Sequence, residues 1–549
     1  MLLAGCNPAD GPAQQSSEDA GSSVQTVDLV LHNGHVLVLD EASTQGSVLV
    51  VDQGRVLAVG DEGLLQTYQA DEQIDLEGRT IMPGFNDTHV HINGRPAHYI
   101  DLTEVTSIAA MQALVAAKAA EVGAGNWVTG YGWSEDQLAE ARKPTLADLD
   151  AAAPNNPVML TRAGAHSAVF SSAAFTLAGI DAQTPDPEGG AIERHADGTL
   201  NGIIRERHNE LVGKLIPPAD PASLRPSLVR ELQKLFALGI TSITQAMNPL
   251  DYYAEWQAAY AENPGQLPRA SVQHYYLGHE RMQAFRQAAG EGDDFLKVGP
   301  IKLLADGGFT GPAAYTKQPY QGEDTYRGAL NLPVAEIESI LTQAHNDGWQ
   351  LGVHAIGDAA IELVVDILVK ALQAQPREDH RHYLNHFTVM PSLATMDLMA
   401  QHGIAITQQP NFLYTLEGRY VEYLGGERLQ HNNPMATPMN RGIHVAMSSD
   451  ILPLGPWVGI YAATTRKGQS GTVYGASEKI SRLAALQAYT IGGAFLNREE
   501  DRKGTLAPGK WADFIVLDEN PLAVADEDLL QMTTRATYLA GRQVYARAP

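Results

Sequence analysis

The chain has a single cysteine, Cys6, in 549 residues, so no disulfide can form within it. It has no apolar run of roughly 18 residues, the length that a membrane-crossing helix needs. It is short of cations: 38 Lys and Arg stand against 64 Asp and Glu, a formal charge of −26. A surface of that sign repels nucleic acid and anionic lipid headgroups, which leaves a small-molecule substrate as the expected partner. Aromatic residues make up only 7%, yet 44% hydrophobic and 19% charged is ordinary globular composition. The length suits one large domain with insertions, or about two to four domains, and composition bars no homo-oligomer.

Cys6 closes the stretch "LLAGC", and Leu3-Ala4-Gly5-Cys6 resembles a bacterial lipoprotein box. The Ser/Gln/Ala/Gly-rich residues after it read as a flexible tether, giving a segment 1–26 outside the fold. A lipidated Cys6 implies a bacterial protein held to a membrane or in the periplasm; without lipidation the expectation is cytoplasmic. The basic region and the roughly 7–15-residue apolar core of a signal peptide do not precede the box. The expectation is therefore a lipoprotein remnant.

Both ends of the chain read as β. "VDLVLHNGHVLVLD" holds two strands around Asn33-Gly34, a hairpin signal, and "GSVLVVDQGRVLAVGD" repeats it around Gln53-Gly54. "QIDLEGRTIMPG" adds a third such pattern, and "KWADFIVLD" and "ATYLAGRQVYA" are strand-like near the C-terminus. The middle alternates strands with helices. Eight strands are expected at 80–87, 239–247, 269–278, 298–307, 349–357, 382–389, 403–410 and 442–450, with helical patterns such as "VAEIESILTQAHNDG" between most of them. That alternation predicts a (β/α)8 TIM barrel. The long gap between strands one and two is too long for a loop and reads as an inserted subdomain, about residues 95–235.

Chemistry in such barrels sits at the C-terminal ends of strands. His89 and His91, in "DTHVHI", end strand one; as residues i and i+2 of a strand they share a face. Strand four carries Lys302, strand five ends in His354, strand six in His386 and strand eight in Asp450. There are 18 histidines in 549 residues, so one coincidence means little. Four histidines and an aspartate, all at strand ends, predict a metal site. His32, His208, His345 and His402 default to solvent or core, and His382 lies too early on strand six for the rim. Tyr131 and Trp133, in "GYGWSED", are candidates to pack on a substrate.

At this point the chain resembles the metal-dependent amidohydrolase superfamily, in its amidohydrolase 3 branch, over about residues 27–545. The motifs that carry the likeness include "PGFNDTHVHI", "GAHSAVFSSAAFTLAGI", "IKLLADGG", "GVHAIGDAA", "SSDILPLGP" and "KGTLAPGKWADFIVLDENPL". The resemblance implies a distorted barrel, residues 84–502, joined to a composite β-sandwich of 27–83 plus 503–549. It implies that His89, His91 and Asp450 bind a first metal, that His354 and His386 bind a second, and that Lys302 is carboxylated and bridges both. It also gives His166 a pocket role. One departure stands out: strand six, usually a variant of "IEHAQ" in this family, reads "YLNHFTV", with Asn385 before the ligand.

The expected cofactor is a divalent metal, zinc first, at one or two per chain, with manganese, iron or nickel as alternatives. The expected reaction is hydrolysis of an amide, N-acyl or cyclic amide C–N bond by metal-activated hydroxide, with Asp450 as proton shuttle. Ester or lactone cleavage and isomerisation are the alternatives on the same site. A non-catalytic regulatory protein is the alternative from another class, and the full set of ligands speaks against it.

Overall fold

The computed structural model describes residues 24–548 apart from 136, 164, 166, 188, 189 and 310. Cys6 and nearly all of the expected tether lie outside the described residues. Gln25 and Thr26, placed in the tether by the sequence, already belong to a strand, Gln25–His32.

Eight parallel strands form one sheet in chain order: β1 (Phe85–Val90), β2 (Ile240–Asn248), β3 (Arg269–Tyr275), β4 (Leu296–Leu304), β5 (Leu351–Ala355), β6 (Tyr383–His386), β7 (Ala405–Gln408) and β8 (Val445–Met447). This is the TIM-type barrel. The ends of the sheet meet not through a ladder but through one bridge, Val90 to Asp450, with Asp450 N–H donating to His89 O at 2.9 Å. Helices such as Val334–Asn346 and Asp358–Ala374 pack their apolar stripes outside it; Ile337, Leu341, Val364 and Leu368 are all buried in the barrel core.

The first strand departs from expectation. Residues 80–83 pair with Phe514–Leu517 in the sandwich, and the barrel strand begins only at Phe85. Gly84 is the hand-over point. Its N–H goes to Asp513 O on the sandwich, and Phe85 N–H goes to Gly239 O on the barrel. A Cβ at Gly84 would collide with Thr241.

The sandwich packs a four-stranded sheet against a six-stranded one. Gln53-Gly54 does make a hairpin, joining Val48–Asp52 to Arg55–Gly60. Asn33-Gly34 does not: Gln25–His32 lies in one sheet and His35–Leu37 in the other. The turn forms, with Asn33 at φ 57°, but it carries the chain around the edge of the core. The expected third pattern does the same, from Tyr68–Asp75 to Thr80–Pro83. The two corners bind each other, Gly78 N–H to Asn33 O (2.8 Å) and His35 N–H to Arg79 O (2.9 Å). The strands that enter the two corners therefore pair in parallel, as do the strands that leave them, Leu29 beside Glu72 and Val36 beside Ile81. A short-range turn signal cannot tell a hairpin from a corner when both flanking strands have one apolar face for the same core. A buried ion pair, Arg269 to Asp513 (2.7 Å), joins this sandwich to the start of β3.

Between β1 and β2 lies a six-stranded mixed sheet running from Tyr99–Asp101 to Leu200–Arg205. One of its faces is covered by the helix Ile108–Val122; on the other, Phe170 and Ile192 of the sheet pack with Phe175 of the helix Ser172–Ala178. The helix Pro221–Lys234 that follows packs Leu228 and Leu232 into the barrel core. No helix among the described residues is long and apolar enough to cross a membrane.

Below the strands, His345 and His382 are both fully buried. Leu351 N–H donates to His382 Nδ1 (3.1 Å), His382 Nε2–H to His345 Nδ1 (2.8 Å), and His345 Nε2–H to Gln375 O (2.8 Å). A backbone donor at one end and a carbonyl at the other leave room for neutral rings only. Burial lowers both pKa values. A depressed histidine pKa means the unfolded chain binds the extra proton. The stability is therefore whole above the unfolded value, about 6.5, and falls as pH drops below it. We predict that His345→Asn, compared with wild type at saturating metal, flattens the slope of unfolding free energy against pH between 5 and 7. The change has an upper limit of about one proton, or about 1.4 kcal/mol per pH unit, and is greatest toward pH 5; an unchanged slope would contradict the neutral relay.

Candidate metal centre

The C-terminal rim of the barrel gathers six side chains from five strands. His89 Nε2, His386 and the Asp450 carboxylate form the tightest group, with one ligand atom from each lying within 4.8 Å of the others. His91 Nε2 is 3.5 Å from Asp450 Oδ1, and Lys302 Nζ is 3.5 Å from His89 Nε2. The His354 ring is 4.4 Å from that of His386, centroid to centroid. The tightest trio thus takes one histidine from each of the two expected pairs.

The surroundings decide which nitrogen faces the centre. His89 Nδ1–H donates to Asn385 Oδ1 (2.7 Å) and His386 Nδ1–H to Gln409 Oε1 (2.8 Å). Both rings are thereby held as the tautomer whose Nε2 lone pair points inward, the orientation that a metal ligand needs. His354 Nε2 is buried with no hydrogen-bond partner among the described residues; the carboxylate oxygen Asp306 Oδ1 is 3.7 Å away. An orphaned buried nitrogen among other lone pairs fits an ion. Asp306, in "LLADGG", is itself fixed by three backbone N–H groups, of Tyr315, Ile356 and Gly357. Asp87 does the same for the seam, accepting from His89 N–H (3.3 Å) and from Ser449 through both N–H and hydroxyl.

Burial sets the charge states. It pushes His91 and His354 down to about 3 and holds His89 and His386 well below the usual histidine range. Four neutral imidazoles are ready to give lone pairs without first losing a proton. Burial also lowers the Lys302 amine and raises the Asp450 carboxyl. His386 (φ 78°), Phe387 (φ 49°) and Asp450 (φ 58°) all sit in the left-handed region, which costs a non-glycine residue about 1–3 kcal/mol. Two of these three are candidate ligands, so the strain lies in the ligand-bearing turns.

A cavity of about 330 Å³ opens above the group. Tyr131, from the inserted sheet, lines it. Trp133 does not: it is buried on the far side of that sheet, with its indole N–H on Leu160 O (2.8 Å). Tyr131 and Trp133 are two residues apart, but the strand is irregular between them, and Gly132 has φ 113°. His166 lies outside the described residues. Sequence reasoning missed Asn385 and Gln409 as partners of the ligands; an amide one residue before a strand-end histidine, and another just past the next strand's end, were the available signals. It missed the cavity wall Phe412, Leu416 and Tyr420 as well.

A rim of imidazoles, carboxylate and amine on a (β/α)8 barrel defines a metal-dependent hydrolase. Residues 72–545 match the model of the amidohydrolase family, and the chain belongs to that family, as a hydrolase acting on carbon–nitrogen bonds. It is 29% identical to the protein YtcJ of Bacillus subtilis (strain 168) over 535 residues, 94% of this chain and 99% of that one. It is 26% identical to an N-substituted formamide deformylase of Arthrobacter pascens over 548 residues, 95% of this chain and 99% of the other. Among solved structures, an uncharacterized metal-dependent hydrolase from Pyrococcus furiosus superimposes with a TM-score of 0.70 at 26% identity, covering 90% of this chain and 99% of that chain.

If Asn385 fixes the tautomer of His89, Asn385→Leu should weaken metal binding by about 10–100-fold with the fold intact, as loss of a ligand's outer partner does. Competition against a fluorescent chelator reads this directly. Wild-type affinity in a folded Asn385→Leu protein would show that Asn385 does not hold the ligand.

Proposed function

We propose that the chain hydrolyses the C–N bond of an amide, N-acyl or cyclic amide substrate at this rim, with zinc as its metal. The convergence of His89, His386 and Asp450 within 4.8 Å, beneath an open cavity, carries the reading. The formamide deformylase among the relatives supports a C–N bond as the target.

His89, His91, His354, His386 and Asp450 are the residues to hold the metal, with Lys302 between the histidines of the two sides. A divalent ion bound there supplies a Lewis acid for the substrate carbonyl and makes water a nucleophile near neutral pH. The protein does the rest. The attacking water adds its oxygen to the carbonyl carbon and gives a proton to Asp450. Asp450 passes that proton to the nitrogen as the C–N bond breaks, so that acid and amine leave and the carboxylate is restored. The left-handed turn at Asp450, tied to His89 O and flanked by the Asp87–Ser449 contact, keeps the carboxylate in place.

Lys302 is assigned as a carbamate: its neutral amine takes up CO₂ and loses a proton, which turns a side chain that cannot ligate as an ammonium into a carboxylate with two oxygens. Lys302 is 2% exposed, its amine is 3.5 Å from a histidine nitrogen, and among the described residues no carboxylate lies within ion-pair distance of it, which supports that assignment over a salt bridge.

Two substitutions test the roles. Asp450→Asn should stay folded and lose about 10²–10⁴-fold in kcat; retention of a third of wild-type turnover would rule out the proton shuttle. Lys302→Ala should lose metal and most activity, and acetate or propionate should restore part of both by standing in for the carbamate. Lys302→Arg should not be rescued, since its charge is permanent. A salt-bridging lysine gives the opposite pattern, with Arg tolerated and acetate without effect.

A further inference from the structure

The cavity over the metal centre is lined mainly by apolar side chains; beyond the centre itself, Tyr131 and Thr388 are the polar residues among the described lining. Among the described residues that line it, no charged side chain occurs beyond the candidate ligands. Met247 and Leu304 at the ends of β2 and β4, Ile356 just past β5, and Ile451 and Leu452 beside Asp450 form its walls.

Its roof comes from the segment after β7. Phe412, Leu416 and Tyr420 are four residues apart along two consecutive short helices, Asn411–Thr415 and Glu417–Tyr423. Leu416 is the junction between the two helices, and all three residues line the cavity. The Phe412 ring lies nearly parallel to the His386 imidazole, 6.3 Å away at 13°. Tyr420 is fixed: its hydroxyl meets the Asn433 amide (3.3 Å), and its ring packs edge-on to Phe309 at 5.4 Å. It therefore offers the cavity a ring rather than a free hydroxyl. The whole roof is packed against the loop after β4, through Phe309 and Tyr320.

The volume, about 330 Å³, lies at the small end of the range for small-molecule sites. That is room for an amide and one ring or branched chain. A carboxylate or ammonium carried on that group would lose its hydration against Phe412 and Leu416 with no counter-charge in return.

We propose that the substrate is an uncharged amide carrying an apolar substituent, a single aromatic ring or a branched alkyl chain, and that Phe412, Leu416 and Tyr420 select it. This rests on the C–N hydrolase reading above and narrows it.

The test uses zinc-loaded full-length enzyme and three matched substrates, each as formyl and acetyl amide: benzylamine, phenylglycine (which adds a carboxylate) and 4-(aminomethyl)benzylamine (which adds an ammonium). In parallel, calorimetry measures binding of phenylacetohydroxamic acid and its para-carboxy and para-aminomethyl forms. The neutral compound should lead each charged one by about tenfold or more in kcat/KM and in affinity. Leu416→Arg should cut the neutral-over-carboxylate ratio by about tenfold in both measurements; an unchanged ratio in the folded variant would overturn the role of this roof. A charged compound bound or cleaved as well as the neutral one by the wild type would overturn the proposal, while its cleavage would leave the hydrolase reading intact. If nothing is cleaved but the hydroxamates bind in the neutral-first order, the apolar selection stands and the C–N reading fails.

Discussion

One backbone hydrogen bond, from Asp450 N–H to His89 O at 2.9 Å, joins the last strand of the barrel to the first. The rest of the centre depends on it. β1 and β8 share no ladder, so the seam is held at its functional end, by this bond and by Asp87 on Ser449. The same contact brings a carboxylate from one end of the sheet to an imidazole pair from the other. Closing the barrel and assembling the site are one event. It is also where the backbone is strained, with Asp450 in the left-handed region.

The second constraint is a shortage of protons. Two buried imidazoles, two half-buried ones, a buried amine and a largely buried carboxylate face one another, and the imidazoles have already spent their N–H groups outward where partners are assigned, His89 on Asn385 and His386 on Gln409. What remains inward is a set of lone pairs. Such a set is costly alone and favourable around a cation. Using Asn385 and Gln409 as acceptors keeps these partners neutral. Neutral outer partners make each histidine less electron-rich than a carboxylate would, and leave the Asp450 carboxylate as the strong anion of the trio.

The barrel and the candidate ligands at its rim were legible because each depended on a local pattern with a fixed consequence. A histidine at a strand's end in an alternating strand–helix chain points to the rim whatever the distant sequence does. His89, His91, Lys302, His354, His386 and Asp450 were all found this way and all come together. What was not legible depended on which distant segment packs alongside. Asn33-Gly34 turns as its residues require, but only the neighbouring corner at Leu76–Arg79 makes it a crossing rather than a hairpin. Residues 80–83 and 85–90 read as one strand, and only the opposing Asp513 and Gly239 split them at Gly84. Trp133 reads as a partner of Tyr131, two positions on, until the irregularity at Gly132 turns it into the inserted sheet's core. The cavity roof escaped because helices of five and seven residues carry too few turns to show a periodic face.

The central claim is that Nε2 of His89 and of His386 and the Asp450 carboxylate share one metal ion. Anomalous diffraction at the zinc edge, from crystals of the zinc-loaded full-length enzyme, tests it most directly. The account predicts a peak at the C-terminal rim about 2.0–2.2 Å from those three groups, with Nδ1 of both rings still on Asn385 and Gln409. Zinc bound elsewhere, or held through Nδ1 with Asp450 turned away, would contradict it.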